Sequence, residues 1–305
     1  MHLGDVLRDG EFVYARNENP VITGIAPAQI AEIDEIAIAY HIFDIKQTPA
    51  RVVLTQSASE WKDKLLIVPI KSVGEAAEIL VRRFIKLGIY EDYSLPVSYT
   101  TDENMNRYGE DCDIAKSAYI AGFTSIGNHV CIGENCVIGE NVTIGSDVVI
   151  GENVIIKPGA RIGTTPFYHF GKECFSDFAG IGSVIIGDNV TIGANTIVQR
   201  GSFSNTLIGN DVAIGDMVVI GHDVVIGNHC LIVTQTGISG GAILDDYVQI
   251  YGQCGINERV HLGKNVKIMA KSAVWKDIPA GKVISGSFGR EHKEELRLRA
   301  RLKKI

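Results

Sequence analysis

The feature that most constrains this chain is a beat of six residues. Isoleucine stands at Ile114, Ile120, Ile126, Ile132, Ile138, Ile144, Ile150, Ile156 and Ile162. After a break the beat returns at Ile186, Ile192 and Val198, and slips once. It then runs from Ile208 through Ile220, Ile238 and Leu244 to Ile268 and Val274. Many repeats read aliphatic–Gly–x–Asn/Asp–Val/Cys–x, as in IGENCV, IGENVT and IGDNVT. No helix or hairpin needs a period of six, so the pattern predicts a solenoid of short strands.

Within one hexapeptide, the aliphatic residue and the Val or Cys four places later point inward. Gly in second place and Asn/Asp in fourth are expected at the corner, where positive φ is cheapest for those types. Three faces then close a triangular coil of 18 residues, with coils stacked about 4.8 Å apart by strand pairing. The expectation is a mainly β chain built on a left-handed parallel β-helix. The domains expected are a small α/β unit of nucleotide-binding type over 1–105, the β-helix over 106–280 and a basic C-terminal helix over 281–305.

The 305 residues leave room for two domains and a large core. A net charge of −7 argues against general nucleic-acid binding. The start, MHLGDVLRDG, lacks an apolar stretch behind a basic end, and no run predicts a membrane span. The six cysteines fit neither a disulfide framework nor a CxxC metal pattern, and Cys136 and Cys230 stand where other coils have Val. A cytoplasmic protein is expected. Before the solenoid, VITGI (21–25), RVVLT (51–55) and LLIVPI (65–70) read as strands, and GEAAEILVRRFIKLG (74–88) as an amphipathic helix ending at Gly88.

Two interruptions break the beat. GTTPFYHFGKECFSDFAGIG (163–182) carries Phe167, Tyr168, His169, Phe170, Phe175 and Phe178 and adds nothing to the coil core. A loop of that length and aromaticity should pack on a ligand, a neighbouring subunit or an adjacent surface. QRGSFSNTL (199–207) adds four residues to one repeat and carries less information. The tail, REHKEELRLRARLKKI (290–305), has seven Lys/Arg against three Glu. It suits both a cap over the solenoid's end and a basic surface for phosphates or an acidic partner.

Among eight histidines, His129 and His229 fall at the fourth position as substitutes for Asn or Asp. His222 falls at the third, a place held elsewhere by ordinary exposed corner residues, so position alone is compatible with a bland role. Register adds a second reading. One coil on, the same corner holds Gly240, and the next holds Glu258. A general base beside an uncluttered backbone N–H is what acyl transfer needs, with Asp216 and Asp223 as carboxylates to orient the imidazole. His222, His229 and His261 occupy third, fourth and sixth positions and cannot converge, so no metal site is predicted. Neither GxxxxGK[ST] nor GxGxxG precedes a helix, and no permanently bound cofactor is expected.

The stretch from RIGTTPFYHF through VIIGDNVTIGANTIVQRGSFSNTLIGNDVAIGDMVVIGHDVVIG, and on through ISGGAI, QCGI and VISGSFG, resembles a known family. These are the hexapeptide-repeat N-acyltransferases, similar to UDP-3-O-acylglucosamine N-acyltransferase of lipid A synthesis and to enzymes that acylate other nucleotide-linked amino sugars. The resemblance implies His222 as catalytic base and the Gly240 N–H as oxyanion donor. It also implies a homotrimer with sites between subunits, an acyl-CoA or acyl carrier protein as donor, and a nucleotide held by the N-terminal domain. Gly240, Gly241, Lys271 and Arg290 are then candidates for the donor. Phe167, Tyr168, His169, Phe170, Asp216, Asp223, Glu258, Arg259 and Tyr40 are candidates for the acceptor. Ile38 stands where the family carries an aromatic on uracil, with Tyr40 and Phe43 nearby. Arg259 replaces a second histidine, ECFSDFAG replaces a Trp-containing run, and the tail is short. These departures point to a smaller donor, such as a short acyl-CoA, and a dTDP- or UDP-linked amino-deoxy sugar. The other readings are the lipid A enzyme itself and a trimeric β-helix scaffold without activity.

Overall fold

The computed structural model describes residues 1–7, 11–14, 18–39, 42–56, 64–70, 72–93, 97–167, 169–170, 176–286 and 301. The N-terminal part is a five-stranded sheet. Its strands are β1 (Phe12–Val13), β2 (Gly24–Pro27), β3 (Glu35–Ala39), β4 (Val52–Thr55) and β5 (Leu65–Pro69), in the order β1-β5-β4-β3-β2. All pairs are parallel except β1 with β5. Every residue of β4 is buried, as expected of a strand covered on both faces. On one face lies the helix Val73–Lys86, with Ala76, Ala77, Leu80, Val81 and Phe84 turned inward at helical spacing. Its start is a capping box: Ser72 Oγ accepts from Glu75 N–H at 3.3 Å and the Glu75 carboxylate accepts from Ser72 N–H at 3.2 Å. Its end passes to Gly88 at φ +74°. The other face packs Ala26, Ala37, Ala39, Ile45 and Val53. The first strand expected over 21–25 begins at Gly24, and Glu35–Ala39 is a strand that the sequence reading did not separate out.

The rest is a left-handed β-helix with faces of ten, eight and nine strands, most of two residues. Strand Ser125–Ile126 pairs in parallel with Thr143–Ile144, one coil of 18 residues on. Ile126, Val130, Ile138, Val142 and their equivalents are almost fully buried in one continuous core. Cys136, Cys230 and Cys254 join that core as free thiols.

The corner chemistry differs from expectation in one respect. Positive φ falls on the fourth position, at Asn135, Asn141, Asp147 and both His129 and His229. The second-position glycines Gly127, Gly133 and Gly187 do not share it. They are glycine because the next coil comes too close: a Cβ on Gly127 would stand 2.5 Å from Ser146 N. The third-position side chain, in turn, caps the stack. Ser146 Oγ accepts from Asn128 N–H at 3.1 Å, Asp216 Oδ1 from Ala194 N–H at 2.8 Å, and Asn228 Oδ1 from Asn210 N–H at 2.9 Å.

Across the first interruption the paired residues stand 36 apart, and across the second 22, so the ladder recovers phase after each. The first loop does more than project outward. Phe178 is 2% exposed within the N-terminal core and stacks on Phe203 of the second interruption, with ring centroids 5.0 Å apart. Between the two units, Arg200 lies 3.3 Å above the Tyr93 ring and donates to Gly182 O, while Tyr93 Oη donates to Asp147. Among the described residues no helix is long and apolar enough to cross a membrane. The β-helix runs past its expected end at 280, because Val283–Ile284 pairs in parallel with Lys267–Ile268 where the tail helix was expected to begin. Beyond residue 286, and apart from Arg301, that helix lies outside the described residues.

Candidate active site

A cavity of about 560 Å³ lies where the N-terminal sheet meets the β-helix. Pro27, Gln29, Ile30, Ile38 and Asp44 form its N-terminal wall. The second interruption and the corner that carries His222, Gly240 and Glu258 form the opposite wall.

His222 follows strand Val219–Ile220 and Gly221, at the third place of its hexapeptide. It is 8% exposed, unlike an ordinary corner residue, because the loop over 199–207 lies against it. Its Nδ1 lies 2.7 Å from Asp223 Oδ2 and 3.3 Å from Ser202 Oγ. Asp223 is held by a cradle of donors. Its Oδ1 accepts the N–H groups of Ser202 and Ser204 at 3.0 and 2.9 Å, that of Phe203 at 3.3 Å, and Ser204 Oγ at 2.8 Å. Ser202 Oγ donates to Oδ2. Burial works against the Asp223 charge, but the hydrogen bonds from His222 and Ser202 outweigh it and hold the carboxyl below its ordinary range. An ionised carboxylate only accepts, so Nδ1 carries the proton, and in the neutral ring Nε2 is the basic nitrogen.

Nε2 faces Gly240. A Cβ on that residue would stand 2.4 Å from it, so only glycine leaves the ring its place. Gly241, at φ +68°, donates its N–H to His222 O at 2.8 Å, and Gly240 O accepts from Arg259 N–H at 3.0 Å. The Gly240 N–H has no acceptor among the described residues. Glu258 and Arg259 stand one coil further, half-exposed, with Nε and Oε1 3.5 Å apart. A base with its lone pair beside an unengaged amide N–H can deprotonate a nucleophile and steady an oxyanion in one space.

The structure thus brings His222, Asp223, Gly240, Gly241, Glu258 and Arg259 together. It separates Asp216 and Lys271 from them. Asp216 sits one hexapeptide earlier, hence at the next corner, where it caps Ala194 and lies 3.8 Å from Lys157. Lys271 belongs to that same column, its N–H donating to Gly252 O. Phe167 is 78% exposed and does not line the cavity. His169 and Phe170 form a short antiparallel pair with Ser176–Asp177, and their side chains lie outside the described residues, as do Tyr40, Tyr168 and Arg290. Ile38, 3% exposed, lines the N-terminal wall.

Sequence reasoning missed Ser202, Ser204, Gln29 and Asp44. The signal for the serines is available in the sequence: one coil back from His222 falls at Ser204, inside the interruption that carries less information. A metal-type group lies elsewhere, with ligand atoms of Glu91, His129 and Asp147 within 4.8 Å of one another. Asp147 already accepts from Tyr93 Oη at 2.5 Å, and the Arg200 guanidinium acts on Asp147 and Glu91 electrostatically, which disfavours a cation there.

The family model described as the GMPPB C-terminal domain matches residues 130–219. A UDP-3-O-acylglucosamine N-acyltransferase from Methylobacterium nodulans is 37% identical over 151 residues, 49% of this chain and 43% of that protein. One from Campylobacter concisus is 37% identical over 107 residues, 35% of this chain and 34% of that protein. The match therefore spans less than half the length of these curated relatives. The crystal structure of Francisella novicida UDP-N-acetylglucosamine acyltransferase is 30% identical, covers 66% of this chain and 73% of that one, and superposes with a TM-score of 0.56.

Proposed function

The chain belongs to the hexapeptide-repeat acyltransferases of left-handed β-helix fold, and from that premise we propose that it N-acylates a nucleotide-linked amino sugar. The amine nitrogen of the acceptor attacks the carbonyl carbon of an acyl thioester. His222 Nε2 removes the proton from that nitrogen, and the Gly240 N–H donates to the oxyanion. On collapse the C–S bond breaks, the proton passes to the departing thiolate, and an amide and a free thiol leave. Asp223 keeps Nδ1 protonated throughout and balances the imidazolium. The observation that carries this reading is the pairing of a buried, carboxylate-anchored imidazole with a glycine whose N–H has no acceptor among the described residues.

The acceptor reading rests on the cavity's two walls, one of them from the N-terminal sheet, and on the names of the relatives. A UDP- or dTDP-linked amino-deoxy sugar with a short acyl-CoA is the first choice, since among the described residues the Ile38 wall offers no aromatic ring to a base. The relatives' names favour a second reading, UDP-3-O-acylglucosamine with a long-chain acyl carrier protein. A homotrimer, with neighbouring subunits closing the open side, goes with either.

His222→Ala should lower turnover by roughly 10²–10⁴-fold, measured as thiol release from acyl-CoA or acyl carrier protein with each nucleotide sugar. A loss below tenfold in the folded protein sinks the base. Turnover with short acyl-CoA excludes the lipid A reading, and turnover only with the long-chain carrier excludes the first choice.

A further inference from the structure

The second interruption adds four residues to one coil and returns the ladder to phase, so the strand ladder itself has no need of it. What it contains is a receptor for one carboxylate. Three consecutive N–H groups, of Ser202, Phe203 and Ser204, converge on Asp223 Oδ1, joined by Ser204 Oγ. Ser202 Oγ differs from the other donors. It donates to Oδ2, the oxygen that also meets the imidazole, and it stands 3.3 Å from His222 Nδ1 with a lone pair to spare. The residue is 1% exposed, so water does not compete for these bonds.

We infer that Ser202 is a positioning residue of this site, and that the 199–207 insertion is there to supply it. The hydroxyl pins Asp223 Oδ2 against the ring and offers the Nδ1–H a second acceptor. The two together select the tautomer with the proton on Nδ1 and aim Nε2 at the Gly240 corner. Neither an aliphatic nor a glycine at this place could do both. Ser204 touches only Oδ1, away from the ring, and serves the carboxylate alone. As a role in turnover, the inference rests on His222 as the base. As a statement about the ring, it stands without that reading.

The test follows the imidazole as well as the rate. The ¹⁵N shifts of the His222 ring should show one tautomer, protonated at Nδ1, in the parent protein and in Ser204→Ala. In Ser202→Ala, where Oδ2 is no longer pinned against the ring and can turn from Nδ1, they should show a mixture. With acetyl-CoA and a UDP-linked amino-deoxy sugar, Ser202→Ala should lower kcat about tenfold, the contribution of a hydrogen bond to a charged group, and leave KM unchanged. On an Asp223→Asn background the same substitution should cost nothing more, because Ser202 acts through that carboxylate. A single Nδ1–H tautomer in Ser202→Ala overturns the inference, as does an equal tenfold loss on the Asp223→Asn background. A parent ring protonated at Nε2 overturns it without any variant. If His222→Ala costs less than tenfold, the base reading fails, and the ring spectra still decide the place of Ser202.

Discussion

The corner at Asn128 and the corner at His222 are built from the same repeat and behave as opposites. At the first, the third-position side chain of the next coil, Ser146, reaches along the stack and caps the Asn128 N–H. At the second, the next coil offers Gly240, the cap is gone, and an imidazole occupies the space it would have filled. One corner is closed by its own hydrogen bonds, and the other is left open with a base beside it. Chemistry here is made by subtracting a side chain from a repeat that otherwise satisfies itself.

The contrast breaks first if methyl groups at the two corners act alike. Gly240→Ala places a Cβ against His222 Nε2 and should cost about 10²-fold or more in turnover, the scale of a disturbed oxyanion site, while the urea midpoint stays put. Equal activity in the parent and the variant would remove Gly240 from the site. Gly127→Ala should do the reverse. Its Cβ meets the Ser146 backbone at 2.5 Å, so unfolding should become easier by about 1–3 kcal/mol while turnover per folded molecule is kept. The smallest effect lies in acid. The Asp223 carboxyl is held below its ordinary range, so its stabilisation is full above the unfolded value of about 4 and is lost as pH falls through the lower folded value. In Asp223→Asn, the fall in stability below about pH 4 should therefore be shallower. Urea titrations that lose stability equally steeply in both proteins would show that the cradle does not hold a charge.

How much of this was legible follows from where register survives. The period of six gave the core residues, the coil length and the column of His222, Gly240 and Glu258, because a fixed step of 18 turns sequence distance into spatial contact. The same rule should have removed Asp216, since six residues in sequence is one corner in space. The cradle at Ser202 and Ser204 lay inside a break in the beat, where counting loses its phase. Gln29, Ile38 and Asp44 come to the cavity by packing between two units, which no local pattern encodes. The second-position glycines were read for backbone freedom, yet their reason is the approach of the neighbouring coil. That is a property of the stack and not of the hexapeptide. Phe178 is a similar case: an aromatic in a long loop suits a ligand, a neighbouring subunit or an adjacent surface alike, and here it seals the N-terminal core.

The two interruptions carry a consequence for how such a chain changes. Each coil pairs only with the coils above and below it, and the ladder regains phase after an extrusion of either size. A corner can therefore be lengthened without renegotiating anything distant, as a book gains a marginal note without being reset. Residues 199–207 form such an extrusion, which leans on the His222–Asp223 pair while the coils above and below it stay in phase.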